Sequence, residues 1–321
     1  MPDKQPERNL ALELVRVTEA AALAAAQYMG TDDKNAGDQA AVDAMRLMLS
    51  TIEMDGVIVI GEGEKDQAPM LYNGEIVGDG SPPAVDIAVD PVEGTRLLAL
   101  GRANALSVIA LAARGSMWQP GPSLYLDKLI VDRRAREVID LNRSPTENLK
   151  RIANALNRPV SKLTVFILDR PRHADLIREV RQTGARVSLQ TDGDVAGGLL
   201  AATLGSGIDV LMGIGGTPEG VITATAVKAL GGGMQARPRP QSEEETQRVQ
   251  AALGDQWNKV LTQDDLIRSE EAFFAATGVT DGPLLEGVRY DQEAGVTTHS
   301  IIIRAKTGTV RYIKAVHQLE K

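Results

Sequence analysis

From Arg8 to Met29, apolar residues return at Leu10, Leu14, Val17, Ala21 and Ala24, the spacing of one helical face, and Gly30 closes the run. This pattern predicts an Ala-rich amphipathic helix. After the polar stretch TDDKNAGD, a second helical face is predicted from Ala41, Met45, Met48 and Ile52, with Asp38 near its first turn. The period then changes. Val57 to Ile60 and Val85 to Val89 are short β-branched runs that predict strands, the first ending in Gly61-Glu62-Gly63-Glu64 and the second in Asp90-Pro91. Both strands would therefore stop at carboxylates. Asn104 to Ala113 predicts another strand, and Leu129 to Asp132 with Glu137 to Asp140 predicts a hairpin.

A polar segment from Ser144 leads into a predicted helix around Asn148 to Leu156, and Asn157-Arg158-Pro159 has the character of a domain boundary. Beyond it, strands at Thr164 to Leu168, Ala185 to Leu189 and Ile208 to Met212 alternate with helices at Ala174 to Gln182, Val195 to Thr203 and Pro218 to Leu230. Such alternation predicts parallel β-α units with ligand groups at the carboxyl ends of the strands. Residues 231–249, GGGMQARPRPQSEEETQRV, read as a surface excursion. Thr298 to Arg304 and Thr309 to Val316, around Thr307-Gly308, predict a closing β-hairpin. No internal repeat is visible.

Composition narrows the class. The 321 residues are 43% hydrophobic and 24% charged, which fits a globular α/β chain of one large or two smaller domains. Aromatic residues make up 3%, so the core must be aliphatic. A net charge of -8 disfavours nucleic acid or an anionic membrane as partner and favours small molecules or cations. No apolar run approaches the length of about 18 residues needed to span a bilayer, and a cytoplasmic protein is the default expectation. With no cysteine and only His173, His299 and His317 as histidines, any metal chemistry must rest on oxygen ligands.

Carboxylates and arginines concentrate at strand ends. In Asp90-Pro91-Val92-Glu93-Gly94-Thr95 two carboxylates share a corner with backbone N–H groups, which suits either a hard cation with a phosphate or an ordinary helix start. In Gly61-Glu62-Gly63-Glu64 the two carboxylates alternate with glycines as ligands or as a solvated turn, and Asp38 is a ligand or a cap. Gly213-Ile214-Gly215-Gly216-Thr217-Pro218-Glu219-Gly220 matches neither a dinucleotide nor a Walker fingerprint. Its Glu219 is a ligand or a first-turn acid, and its Gly216 is a place of close approach. Arg170-Pro171-Arg172-His173 suits a second phosphate or a solvated basic turn, with His173 a general base or a structural group. Asp192-Gly193-Asp194 can bind sugar hydroxyls or cap the next helix.

These motifs carry a family resemblance across nearly the whole chain. DGVIVIGEGEKDQAPMLYNGE, AVDIAVDPVEGT, ANALSVIA, LYLDKLIVD, RPRH, DGDVA, GIGGTPEGV and FFAATGVTDGPLLEGV resemble the GlpX-type class II fructose-1,6-bisphosphatases, within the lithium-sensitive sugar and inositol phosphatase superfamily. The resemblance implies a layered α/β sugar phosphatase fold of stacked helices and sheets with two subdomains. These would be a metal-binding part over residues 1–157 and a substrate-binding part over 158–321. It implies two or more Mg²⁺ or Mn²⁺ ions held by Asp38, Glu62, Asp90, Glu93 and Glu219, with Thr95 and Glu62 catalytic. It further implies substrate contacts from Glu93, Gly94, Thr95, Tyr125, Arg170, Pro171, Arg172, Asp192, Gly193, Asp194 and Gly216. The expected reaction is loss of the 1-phosphate of fructose-1,6-bisphosphate, a gluconeogenic step, in a homo-oligomer (dimer or tetramer). Sedoheptulose-1,7-bisphosphate is a possible second substrate. The rival readings are an inositol or other sugar monophosphatase and a non-catalytic cation-binding protein.

Overall fold

In a computed structural model, residues 9–63, 70–291 and 295–318 are described, and Glu64 of the acidic turn lies outside them. The strands run β1 Asp55–Ile60, β2 Ile76–Val77, β3 Ala84–Glu93, β4 Leu106–Ala113, β5 Tyr125–Val131, β6 Thr164–Leu168 and β7 Arg186–Gln190. They continue as β8 Val210–Gly216, β9 Gly233–Pro238, β10 Leu261–Thr262, β11 Ala272–Gly278, β12 Arg289–Asp291, β13 Gly295–Arg304 and β14 Thr309–His317. The helices are α1 Ala11–Ala26, α2 Lys34–Leu49, α3 Thr95–Ala99, α4 Pro145–Ala155, α5 Ala174–Gln182, α6 Asp194–Ala202, α7 Thr217–Leu230, α8 Glu243–Leu253 and α9 Gln263–Leu266.

Two sheets form. The 8-stranded one has the order β12-β13-β11-β4-β3-β1-β2, with β14 also on β13, and the 6-stranded one has β10-β9-β5-β8-β6-β7. Alternation along the strands decides the layers. Ile109 and Leu111 of β4 pack with α1 and α2, whereas Val108, Ala110 and Ala112 pack with α6 and α7. In β5, Leu126 and Ile130 face the same α6 and α7, while Leu129 and Val131 face α4 and α5. The stack is therefore helix, sheet, helix, sheet, helix, a layered α/β fold as expected. Because α6 and α7 are covered on both sides, they are apolar nearly all round.

The sheets cannot be separated by one cut in the chain. β5 precedes residue 157 yet lies within the second sheet, and β11 to β14 follow it yet complete the first. The predicted parallel units are present where β6 pairs parallel with β7 and β8. The remaining pairings of that sheet are antiparallel.

Several expectations need correction. Asp33 caps α2, accepting from the Ala36 N–H at 3.0 Å, so the helix starts inside the polar stretch and Asp38 sits in the second turn. β3 does not stop at Asp90-Pro91 but continues to Glu93, because its pairing with β4 shifts between Asp90 and Glu93 and needs no N–H from Pro91. The hairpin over 129–132 and 137–140 does not form. β9 takes that side of β5, and the Gln235 side chain of β9 instead holds the loop, accepting from the Leu141 N–H at 2.6 Å and donating to the Ile139 carbonyl at 3.1 Å. The stretch 231–249 is thus no excursion: Met234, Ala236 and Pro238 are buried in alternation, and α8 follows. β11, for which the sequence pattern made no prediction, is fully buried between β4 and β13.

Candidate active site

The carboxyl ends of β1, β3, β6 and β8 open on one cavity of about 1000 Å³. That volume lies within the usual range of small-molecule sites. Its wall includes Gly61, Glu93, Tyr125, Arg170, Arg172, Asp192, Gly193, Asp194, Gly216 and Glu219. Carboxylate oxygens of Asp90, Glu93 and Glu219 lie within 4.8 Å of one another. Asp90 and Glu93 come from the irregular end of β3, and Glu219 from the first turn of α7. Asp38 and Glu62 stand outside this tight triad but within its electrostatic reach.

The acids resist ionisation together. Burial, then repulsion from Glu93 and Glu219, pushes the Asp90 carboxyl well up. Burial and Asp194 do the same to Glu93. Glu219 is raised by burial and Asp194, with the Lys128 ammonium opposing. Burial raises Asp38, and burial with the neighbouring Asp38 carboxylate lifts Glu62 to about 7. One Glu219 oxygen and the Thr217 hydroxyl are buried without a hydrogen-bond partner. A cluster of hard oxygen donors with raised proton affinity and an unpartnered buried oxygen fits a divalent cation, which would replace the protons.

Local geometry explains the glycines. An added Cβ at Gly216 would stand 1.9 Å from a Glu219 carboxylate oxygen, so only glycine lets that side chain fold back over the turn. Gly94 adopts φ +86° and turns the chain from β3 into α3, whose first residue is the half-buried Thr95.

The Arg-Pro-Arg-His segment carries a 3-10 turn, Pro171–His173, with Arg170 and Arg172 on the cavity wall. Arg172 donates through Nε and Nη2 to the Ile214 carbonyl at 3.2 and 2.8 Å, and its guanidinium lies 5.3 Å from the centre of the Tyr125 ring. Arg170 pairs with Asp192 at 3.3 Å, and burial raises the Asp192 carboxyl. His173 is buried, with Nδ1 at 2.7 Å from the Leu168 carbonyl and Nε2 accepting from the Ile214 N–H at 2.8 Å. Both ring nitrogens are occupied and burial lowers its pKa, so His173 is structural.

Asp194 does not cap α6. Glu93 does so from 102 positions earlier, accepting from the Val195 N–H at 2.7 Å. Asp194 is held instead by Lys128, whose Nζ lies 2.5 Å from its carboxylate and 3.0 Å from the Gly216 carbonyl. Sequence reasoning missed Lys128, although a lysine inside the apolar run of LYLDKLIVD is the kind of signal that marks a buried pair. It also missed Arg248 of α8, which reaches the cavity wall.

The family described as bacterial fructose-1,6-bisphosphatase, glpX-encoded, matches residues 8–317. Fructose-1,6-bisphosphatase 1 class 2 of Escherichia coli (strain K12) is 47% identical over 326 residues, covering 98% of this chain and 96% of the relative. The class 2 fructose-1,6-bisphosphatases of Escherichia coli O6:H1 and Shigella flexneri match with the same identity and coverage. Among the described residues no helix is long and apolar enough to cross a membrane.

Proposed function

The chain belongs to the glpX-encoded bacterial fructose-1,6-bisphosphatase family, and from that premise we propose that this cavity releases the 1-phosphate of fructose-1,6-bisphosphate as inorganic phosphate. The chain is accordingly a phosphoric monoester hydrolase of class 2. The observation that carries the site reading is the cluster of Asp90 with Glu93 and Glu219, the latter two on the wall of the cavity that Arg172 and Tyr125 also line. Hydrolysis of a phosphate monoester requires accelerations up to ~10²¹-fold, so neutralising charge matters more than any one acid or base.

Asp38, Glu62, Asp90, Glu93 and Glu219 would hold two or more Mg²⁺ or Mn²⁺ ions. When bound, these ions neutralise phosphate charge and make a water more acidic. The chain's own groups divide the remaining work. Thr95 orients the attacking water in line with the leaving oxygen, next to the backbone N–H groups at the start of α3. Glu62, beside the cations, would take up the proton of the attacking water at a carboxylate oxygen not used for a cation. Arg170 and Arg172 hold the phosphate that does not react, as planar paired donors. Asp192 and Asp194 accept from sugar hydroxyls, and Gly216 lets the substrate approach the backbone.

Phosphate release from a panel of sugar mono- and bisphosphates, sedoheptulose-1,7-bisphosphate included, tests the reading with Mg²⁺, Mn²⁺ or chelator. Fructose-1,6-bisphosphate should be hydrolysed, and only with the cation. Faster turnover of an inositol monophosphate would replace this assignment with the monophosphatase one.

A further inference from the structure

Lysine in the interior of a sheet is costly unless its charge is matched. Lys128, in the middle of β5, is 2% exposed, and its carboxylate partner Asp194 is 7% exposed. The two residues are joined across the molecule at 2.5 Å, and the same ammonium donates to the Gly216 carbonyl at 3.0 Å. Gly215 is shaped around the pair: a Cβ there would stand 1.8 Å from the Asp194 oxygen and 2.7 Å from the Lys128 Nζ. Asp194 begins α6 and lines the cavity, and Gly216 ends β8 directly before α7, which carries Glu219. One buried cation thus ties two turns that face the substrate cavity. A pair that served stability alone could be as well replaced by apolar side chains. Here both acceptors are groups of the cavity wall, and the Asp194 side chain takes no part in capping its own helix.

We propose that Lys128 is a positioning residue for substrate recognition: its ammonium, anchored on the Gly216 carbonyl, fixes the Asp194 carboxylate in the orientation that receives the sugar. The proposal rests on the fructose-1,6-bisphosphatase reading for its substrate. It makes Lys128 act through Asp194, with no contact of its own to the reacting phosphate.

The test is a double-mutant cycle of Lys128→Met, Asp194→Asn and the double variant, measured on fructose-1,6-bisphosphate and on p-nitrophenyl phosphate with saturating Mn²⁺. Lys128→Met should raise KM for the sugar by about 10-fold or more, with a smaller change in kcat and little change on the aryl phosphate, which has no sugar to orient. In the double variant both charges are gone. Its kcat/KM for the sugar should match that of Asp194→Asn alone, which keeps the test open even where Lys128→Met does not fold. Additive losses in the double variant, or equal losses on both substrates, would overturn the positioning role. Unchanged constants for Lys128→Met would do so too. If the unmodified enzyme failed to hydrolyse fructose-1,6-bisphosphate, the functional reading would fall instead, a result visible before any variant is made.

Discussion

At the scale of single residues, contacts separate groups that touch substrate from groups that hold others in place. Thr95 opens α3 half-buried, and the Thr18, Thr217 and Thr277 hydroxyls are all fully buried by comparison. If the Thr95 hydroxyl orients the attacking water, Thr95→Ala should lower kcat by about 10² or more with a smaller effect on KM, and Thr95→Ser should retain more of the rate. Parent-like kinetics for both would reduce Thr95 to a helix-start residue. Arg172 is held by the Ile214 carbonyl and the Tyr125 ring, which leaves its guanidinium edge fixed at the cavity wall. A charge-assisted contact is worth roughly 1.5 to 3 kcal/mol, so Arg172→Ala should cut kcat/KM for fructose-1,6-bisphosphate by about 10 to 150-fold. Hydrolysis of an aryl phosphate should change little, since it carries no second phosphate. Equal losses on both would leave Arg172 a purely structural group.

At the scale of elements, helices and sheets are joined by polar contacts whose failure would show as stability and not as rate. The hydroxyls of Thr18 in α1, Thr277 in β11 and Ser300 in β13 form a buried line with spacings of 2.7 and 2.8 Å. Thr277→Val keeps the shape but deprives Ser300 and Thr18 of a partner, and should cost about 1 to 3 kcal/mol. The urea midpoint should fall while kcat stays as it was; a changed kcat at unchanged stability would contradict this assignment. The elements themselves were unequally legible. α5 and β6 begin and end where period and turn residues place them, because the buried Ile177 and Val180 of α5 share one helical face and β6 is a short continuous apolar run. β9 and β11 were not, since a glycine-rich run and a short Ala/Phe run are strands only in the presence of the neighbours that pair with them.

At the scale of the whole molecule, the acids clustered beside the cavity are held together by the stack of layers, and their mutual repulsion should register in the stability of the metal-free protein. Glu62 has a folded pKa of about 7 against an ordinary 4.5, and Asp38, Asp90, Glu93 and Glu219 are raised as well. Over that window these carboxyls bind more protons in the folded state than in the unfolded one, so the stability they contribute falls as pH rises from about 4.5 to about 7. A divalent cation displaces those protons and removes the penalty. The gap in Tm between protein with Mn²⁺ and protein with chelator should therefore widen toward neutral pH, and a constant gap would show that the cation binds elsewhere. Activity should vanish on exhaustive chelation, and Li⁺ should inhibit. The choice of oxygen chemistry was settled by the sequence itself, because a chain without cysteine and with dispersed histidines has no other ligands to offer. So was the alternation of helix and strand over residues 164–230, since period and turn residues are properties of neighbouring positions. Only the tertiary structure decided that Glu93 caps α6, that Lys128 meets Asp194 and that β5 leaves the first half of the chain to join the second sheet. Each of these contacts joins positions more than sixty residues apart, and hydrogen bonding and burial across such distances depend on the packed layers rather than on any local pattern.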